Sequence, residues 1–399
     1  MKSFITAALE IHGDLVTLRR DLHQYPELGN DLPRTQARVL QDLEGLPLEV
    51  TLGKSLTSIT AVLRGSQPGK TVLLRGDMDG LPVKEDNDLE YRSRNDNMHA
   101  CGHDLHTAGL VGAARLLCER KEELSGNVVF MFQPGEEGPG GAEPMIAEGV
   151  LDAAGQRADA AFGIHVMPGE QGVFFMRGGP FMAGSNRLAV TMHGMGGHGS
   201  QPENSLDPVA PLVEFCQALQ TMVTRRFSVF DPVVVSTTVL SAGEAYNVIP
   251  PSASMKASVR TLSAESFSRF DACVHELAES VARAHGCRAE VDFQSQYPAT
   301  INAPHMAENA ADTLRMMFGD SRVHISDFPL MGSEDFSFVL NEVPGAFICL
   351  QATPPHIDPA TAEVNHSPKV FFDDAVLADQ SAALAALAWE TLHSDGTRS

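Results

Sequence analysis

Acidic and imidazole side chains follow three separate apolar runs of the sequence. They are Asp77 and Asp79 after residues 71–75, Glu136 and Glu137 after residues 128–132, and His165 after residues 160–164. Each run is short and apolar, which predicts a buried strand. Ligand sites in open α/β sheets lie beyond the carboxyl ends of the strands, so we expect these side chains to meet at one sheet edge.

A thiol and an imidazole lie two positions apart at Cys101 and His103, directly before a helical pattern. Sulfur and nitrogen ligands together suit zinc and its first-row neighbours rather than magnesium or calcium. Gly102 between them allows both side chains to turn towards one centre. A cysteine alone is more often a small buried apolar residue, but the nearby His99 and His106 favour a metal-binding role for this one.

Two adjacent carboxylates, Glu136 and Glu137, stand in the Pro- and Gly-rich segment 133–141. On a regular strand, neighbouring side chains point to opposite faces of the sheet. The prolines and glycines break that geometry, so both carboxylates can approach one site. Acidic pairs are usually solvated surface, but the strand end and the glycines favour a functional role here.

Two further histidines have weaker support from spacing. His366 lies in segment 364–368, a loop far along the chain, and would be a weak candidate by itself. His198 lies in the Gly-rich turn 196–202, and sequence order does not connect it with the other residues. Neither histidine is assigned a role on spacing alone.

Strand and helix patterns alternate along the first half of the chain. Residues 4–45 have helical spacing with an interruption at 25–29, and residues 105–124 are again helical. Near the end of the chain, residues 346–350 form a buried strand and residues 377–392 a last helix. This alternation predicts an α/β fold, with a mixed, largely parallel sheet flanked by helices.

The pattern changes in the middle of the sequence. Alternating strands such as residues 187–193 and 256–262 have one polar face, which is typical of an antiparallel sheet covered by helices on one side. We therefore predict a catalytic domain formed by residues 1–182 and 298–399, with a smaller α+β domain inserted at residues 183–297.

Charge and cysteine content exclude several classes of partner. The 399-residue chain has a formal net charge of −22 and a pI near 5.0. This argues against nucleic acid and anionic membranes, since both bind clustered Lys and Arg.

The N-terminal segment lacks the apolar core of a signal peptide, and no apolar run is long enough to span a membrane. The six scattered cysteines argue against a disulfide framework and favour the cytoplasm.

Taken together, the segments resemble the aminoacylase/carboxypeptidase family of metallopeptidases, in its amidohydrolase branch. The resemblance covers nearly the whole chain. Its motifs are Arg19-Arg-Asp-Leu-His-Gln-Tyr-Pro-Glu-Leu-Gly29, Gly76-Asp-Met-Asp-Gly-Leu-Pro82, His99-Ala-Cys-Gly-His-Asp104, Gln133-Pro-Gly-Glu-Glu137, Gly163-Ile-His-Val166, Gly196-Gly-His198, Asn247-Val-Ile-Pro250, Gly332-Ser-Glu-Asp-Phe336 and Asn365-His-Ser-Pro368. The resemblance implies hydrolysis of small N-acyl amino acids to a carboxylic acid and a free amino acid.

The resemblance also implies roles for individual residues. One or two divalent metal ions, with zinc favoured and manganese, cobalt or nickel as alternatives, would be held by Cys101, His103, Glu137, His165 and His366. Glu136 would be the general base, and Asp79 would orient a ligand. His198 would stabilise the oxyanion, in its own or a partner subunit's site. Asn247 and Arg260 fall where related enzymes contact substrate, although an arginine on an alternating strand is more often merely solvated.

The inserted domain would be a lid through which the chain forms a homodimer. Two departures from the family pattern limit what the resemblance implies. Leu105 stands where many relatives have glycine, and the segment 201–207 differs from the commoner sequences of the branch. The preference for an acyl group is therefore not implied.

Three alternatives remain open at the level of sequence. The first is a metal-dependent dipeptidase or carboxypeptidase of the same fold. A nucleotide-binding oxidoreductase is suggested by Gly-x-Gly-x-x-Gly at residues 194–199, although prolines interrupt the helix that should follow. A binding protein without activity on the same fold is the third alternative, and the complete ligand set with Glu136 argues against it.

Overall fold

A computed structural model describes residues 3–394, and this part of the chain divides into two compact units. The first unit contains residues 3–181, 301–328 and 335–394, and the second contains Met182–Thr300 and Pro329–Glu334. Each unit has its own apolar core. The last six residues of the second unit come from a stretch that the sequence assigned to the catalytic domain. The predicted catalytic domain also includes residues 1–2 and 395–399, which lie outside the described residues.

The helices of the described chain are mostly amphipathic or wholly buried segments. They are α1 (Phe4–His23), α2 (Pro33–Leu43), α3 (His103–Cys118), α4 (Ala142–Ala147), α5 (Val209–Arg226), α6 (Ala264–Ala284), α7 (Pro304–Phe318), α8 (Ser337–Glu342) and α9 (Val376–His393). Within the described residues, no helix is both long and apolar enough to cross a membrane.

The strands of the described chain range from two to eleven residues. They are β1 (Leu48–Leu52), β2 (Ile59–Arg64), β3 (Gln67–Asp77), β4 (Ser125–Gln133), β5 (Ala160–Glu170), β6 (Phe174–Met176), β7 (Gly179–Met182), β8 (Gly184–His193), β9 (Gly197–His198), β10 (Val234–Ala242), β11 (Val248–Ile249), β12 (Ser252–Thr261), β13 (Arg288–Tyr297), β14 (Thr300–Asn302), β15 (Val323–Ile325) and β16 (Gly345–Thr353).

The first unit is built on an eight-stranded sheet in the order β1-β2-β4-β3-β5-β16-β6-β15. The central strands β4, β3, β5 and β16 are parallel to one another, and the antiparallel pairs lie towards the two sides. Parallel strands are buried on both faces, which agrees with the continuous apolar runs in β3, β4 and β5. The predicted mixed, largely parallel α/β sheet is confirmed.

Three neighbouring strands present their carboxyl ends at one edge of this sheet. β3 ends at Asp77 and β4 at Gln133. The prediction that a strand ends at Ile164 is wrong, because β5 continues to Glu170 while pairing with β16 on its other side. The pairing of β5 with β3 stops at Gly163, so His165 still lies beyond the paired part of β3.

Helix α3 lies under this edge and is buried along almost its whole length. It packs against α1 and α9. The helix predicted at residues 105–124 begins earlier, at His103, and ends at Cys118. Its predicted end is wrong because residues 119–123 are all charged and offer no apolar face to bury.

The second unit contains an antiparallel four-stranded sheet in the order β10-β12-β8-β13. Apolar residues on one face, such as Val190 and Val259, form a core with Phe215 of α5 and Phe270 of α6. Strand β10 forms one side of this sheet and is exposed along most of its length. This matches the expected arrangement of helices on an antiparallel sheet.

Candidate metal centre

His103 is the first residue of α3, and the residue before it determines how the chain enters the helix. Gly102 has a φ of +83°, in the left-handed region that favours glycine. A Cβ at this position would lie 2.3 Å from Cγ2 of Val166. Both the turn and the close packing require glycine, and the turn places Cys101 and His103 at the sheet edge.

Side chains from four separate segments converge at this edge. Cys101, Glu137 and His366 each offer a potential ligand atom, and these three atoms lie within 4.8 Å of one another. Nε2 of His366 lies 3.2 Å from Oε1 of Glu137. Nε2 of His165 lies 3.4 Å from Sγ of Cys101, and Nε2 of His103 lies 3.8 Å from Oε1 of Glu137. The structure thus brings together all five side chains that were expected to hold metal.

Asp79 holds the two adjacent glutamates and one histidine in place. Its Oδ1 accepts a hydrogen bond from the backbone N–H of Glu136 at 3.1 Å, and its Oδ2 accepts one from Glu137 at 3.1 Å. Nδ1 of His103 lies 3.2 Å from Oδ1 of Asp79. Because Nδ1 faces Asp79, Nε2 of His103 is turned towards the two glutamates. These contacts are of the kind by which a carboxylate orients metal ligands, the role expected for Asp79.

A second group of potential ligands consists of Asp77, His103, His106 and His165. In this group, Nδ1 of His106 lies 2.5 Å from Oδ1 of Asp77. Nε2 of His106 accepts the backbone N–H of Val166 at 2.7 Å, and Asp77 is also paired with Arg75. Since both ring nitrogens of His106 have protein partners, this histidine supports the site rather than offering a ligand.

Protons on two histidines balance the negative groups of the centre. Burial alone would lower the pKa of His103, but the Asp77 carboxylate, Asp79 and Cys101 together raise it well above its usual value. Hydrogen bonds with Cys101 and Glu137 raise the pKa of His366 to about 10. Burial raises the pKa of the Cys101 thiol. A bound cation would displace these protons, because metal ligands must be deprotonated.

The donor set fits a divalent metal ion. Nε2 of His103 is buried and has no hydrogen-bond partner among the described residues. An unsatisfied buried polar atom costs about 1–3 kcal/mol, which a metal at this nitrogen would remove. A thiolate, imidazoles and a carboxylate together suit zinc and its first-row neighbours.

The loop that carries His366 has an unusual backbone. His366 has a φ of +72°, and no other non-glycine residue among those described has a positive φ. This conformation costs about 1–2 kcal/mol. The N–H of His366 donates to the carbonyl of Ala100 at 2.9 Å, and Nδ2 of Asn365 lies 3.3 Å from Sγ of Cys101. These bonds hold the strained residue where its ring reaches Glu137.

The remaining predicted site residues lie in the second unit. His198 is exposed on β9, which pairs with β11, and the N–H of Gly199 donates to the carbonyl of Asn247 at 2.8 Å. The structure therefore places His198 and Asn247 side by side. Arg260 stands on β12 with a half-buried side chain, and its buried Nη1 has no hydrogen-bond partner in the described part of the chain. Burial lowers the pKa of this guanidinium.

The glycine motif at residues 194–199 lacks the context of a dinucleotide site. It is followed by a single 3-10 turn at Pro202–Asn204, and α5 begins only at Val209. A pyrophosphate-binding glycine motif leads directly into a helix whose N-terminus faces the phosphates. This geometry argues against the oxidoreductase alternative.

Comparison with known proteins identifies the family. Residues 73–390 match the sequence profile of peptidase family M20/M25/M40. The chain belongs to this family. The resemblance deduced from the motifs is confirmed, and as a member of the M20 family the chain is a hydrolytic enzyme.

Relatives of this M20 family member carry different names. It is 36% identical over 385 residues to thermostable carboxypeptidase 1 of Saccharolobus solfataricus, with 95% of each chain covered. It is 35% identical over 387 residues to N-acetylcysteine deacetylase of Bacillus subtilis, covering 96% of this chain and 98% of the relative. The solved structure of the YXEP protein of Bacillus subtilis, a dinuclear metal-binding peptidase from the M20 family, gives a TM-score of 0.84 at 30% identity, covering 97% and 99% of the two chains.

Behind α3, this M20 family member has a buried polar network that sequence reasoning missed. Nε of Arg19 and Nδ1 of His23 each lie 2.7 Å from Oδ2 of Asp104. Nε2 of His23 lies 3.2 Å from Oε1 of Glu85. Burial alone would lower the pKa of His23, but Asp104 and the two hydrogen bonds raise it. The sequence feature that could have indicated this network is the four-residue spacing of Arg19 and His23, which places both side chains on one face of α1.

Proposed function

We propose that the chain hydrolyses the amide bond of N-acyl amino acids at a divalent metal centre, with Glu136 as general base. The observation that carries this proposal is the division of roles between two adjacent carboxylates. Glu137 lies with Cys101 and His366 in one group of potential ligands. Glu136 is not in that group; it joins His103 and Glu137 in another, with its Oε2 3.9 Å from Nε2 of His103. We infer that Glu137 binds the metal and that Glu136 moves a proton beside it.

The metal would be held by the five converging side chains, which are Cys101, His103, Glu137, His165 and His366. The thiol favours zinc, with manganese, cobalt or nickel as alternatives. Five ligands are enough to hold one or two ions. When bound, a divalent metal supplies Lewis acidity, which favours the ionised form of water near neutral pH and polarises an amide carbonyl.

The residues of the chain then handle the proton. Glu136 accepts a proton from the attacking water as a bond forms between the water oxygen and the acyl carbon. It returns that proton to the amide nitrogen as the carbon–nitrogen bond breaks, so the products are a carboxylic acid and a free amino acid. Proton transfer of this kind contributes roughly 10²–10⁴-fold in rate. Asp79 keeps Glu136 and His103 oriented throughout.

The substrate's free carboxylate would pair with Arg260. A half-buried guanidinium with an unsatisfied Nη1 is suited to a carboxylate partner, since charge-assisted pairs with arginine are strong and directional. Asn247, beside His198, would contact the amide portion of the substrate.

A substrate panel tests the proposed function. After chelation and refilling with zinc, manganese, cobalt or nickel, the protein should hydrolyse N-acetyl amino acids and hippurate, and should prefer each acid to its C-terminal amide. Arg260→Met should remove most of that preference, raising KM for the acids by roughly 30-fold, which corresponds to about 2 kcal/mol. Rapid cleavage of N-blocked dipeptides with no turnover of N-acetyl amino acids would favour the carboxypeptidase alternative instead.

We also propose that the second unit forms a homodimer through strand β10. This strand has one side without a partner strand among the described residues, and it exposes Val234, Val239 and Leu240. A long, exposed, apolar edge strand pairs readily with another copy. His198 would donate a hydrogen bond to the developing oxyanion, an interaction worth roughly 10²–10³-fold in kcat.

Mixing two inactive variants tests the dimer and the role of His198. If His198 acts in the partner's site, subunits with Glu136→Gln and subunits with His198→Ala should together regain on the order of a quarter of wild-type activity, because each hybrid dimer has one intact site. If it acts in its own site, the mixture stays inactive. Sedimentation of the wild-type protein as a monomer at assay concentration would contradict the dimer.

A further inference from the structure

The sequence motif at residues 332–336 has no role in the mechanism above, yet it contains a fully buried acid. Asp335 has no exposed surface. Its Oδ2 accepts the backbone N–H groups of Gly141 at 2.9 Å and Ala142 at 3.0 Å. Nε2 of Gln133 lies 2.7 and 2.8 Å from its two oxygens. Asp335 therefore holds the residues on both sides of the segment that carries the catalytic glutamates.

This segment, residues 134–141, is called the acidic loop. The loop closes on itself, since the N–H of Gly140 donates to the carbonyl of Gly135 at 2.9 Å. A Cβ at Gly141 would lie 1.7 Å from the carbonyl oxygen of Pro134, so the two ends of the loop touch. With its ends in contact and both fastened to Asp335, the acidic loop has little freedom to shift as a body.

Two buried carboxylates thus hold the acidic loop at different points. Asp79 accepts the N–H groups of Glu136 and Glu137 in its first half. Asp335 fixes the entry and exit of the loop, and one of its oxygens lies within 4.8 Å of a carboxylate oxygen of Glu136. Removing either contact would let the two glutamates move relative to Cys101 and the histidines.

Asp335 is also connected with the strand that carries the neighbouring acids. Nη2 of Arg75 lies 3.0 Å from Oδ1 of Asp335, and the same guanidinium pairs with Asp77. Nε of Arg75 donates to Oε1 of Gln133 at 3.0 Å. All the groups that contact Asp335 here are hydrogen-bond donors. The two oxygens of a carboxylate can accept from them, whereas the Nδ2 of an asparagine in its place cannot.

We propose that Asp335 is a positioning residue that sets the location of Glu136 and Glu137 by clamping both ends of the acidic loop. This inference rests on the proposed function for the role of Glu136, but its effect on metal binding through Glu137 is independent of the substrate. Residues that orient metal ligands typically change metal affinity or activity by about 10–100-fold when substituted.

The test compares Asp335→Asn with Glu148→Gln. Glu148 is the control, because its exposed carboxylate also accepts two backbone N–H groups of a loop, those of Lys54 and Ser55. Binding of Co²⁺ to metal-free protein is followed by the absorption of the cobalt–thiolate bond. Asp335→Asn should weaken Co²⁺ binding by about 10–100-fold and lower kcat of the loaded enzyme by a similar factor, with KM little changed. Glu148→Gln should change neither quantity.

Gln133→Met provides a second variant if Asp335→Asn does not fold. It removes the side-chain bonds to Asp335 and Arg75 while keeping the volume, and it should shift Co²⁺ affinity and kcat in the same direction by a smaller factor. Wild-type Co²⁺ affinity and kcat in the folded variant, even with a lower melting temperature, would overturn the proposal and leave Asp335 a purely structural residue. If Co²⁺ affinity falls but no amide is cleaved by any variant or by the wild type, the proposed function fails and the positioning role stands.

Discussion

Glu136→Gln should abolish turnover while the metal content stays at the wild-type level. The amide has nearly the same shape as the carboxylate but cannot accept a proton at neutral pH, so kcat should fall by roughly 10²–10⁴-fold. Metal content should persist because the variant keeps all five proposed ligands, with Glu137 rather than Glu136 in the group that contains Cys101 and His366. Steady-state kinetics on the substrates identified by the panel, together with elemental analysis of the same samples, measures both quantities.

A neighbouring glutamate provides the control. Glu143 lies in the first turn of α4 and is exposed, so Glu143→Gln changes the charge of the same region without touching the centre. This variant should retain wild-type kcat. Near-wild-type activity in Glu136→Gln would assign the proton transfer to another group, and loss of metal from it would show that both glutamates are ligands.

Cys101→Ala should lose metal affinity as well as activity. Structural zinc in small peptides is bound with about 10–16 kcal/mol, which is roughly 2.5–4 kcal/mol per ligand in a four-ligand site. Removing the thiol should therefore weaken binding by roughly a hundredfold or more. Titration of metal-free protein with Zn²⁺ in competition with a chromophoric chelator gives the affinity directly.

Cys118→Ala separates the loss of a ligand from the loss of a buried thiol. Cys118 is also buried, at the end of α3, and is not in any potential metal group of the described residues. The Cys118→Ala variant should be somewhat less stable than the wild type and should bind zinc with unchanged affinity. An unaltered zinc affinity in Cys101→Ala would mean that the thiol packs beside the centre without binding the ion.

The fold was largely predictable because its signals are local. Short apolar runs marked β3, β4 and β5, and the carboxyl ends of parallel neighbours had to meet at one edge. The end of β5 was placed too early because the sequence does not reveal that β16 pairs with it beyond Ile164. The predicted start of α3 is two residues too late because the apolar helical pattern begins at Leu105, whereas the helix is capped by Gly102 and begins at His103.

Site residues that follow a strand or stand beside another candidate ligand could be predicted from the sequence. Residues whose partners are distant in the sequence could not. Asp335 contacts Arg75 and Gln133 across more than 200 positions of the chain, and no spacing rule predicts such a contact. The left-handed backbone of His366 was equally hidden, since its N–H bonds the carbonyl of Ala100, more than 260 positions away. The sequence did identify the types of side chain, and the distant contacts determine their orientation.

The order of the metal-site segments along the chain has a consequence for synthesis. Cys101 and His103 are translated more than 260 residues before His366. At ~5–20 residues per second, roughly 13–50 s separate the two events, and during that time the nascent polypeptide has no complete coordination sphere. A metal ion can therefore meet all five proposed ligands only after His366 has been translated.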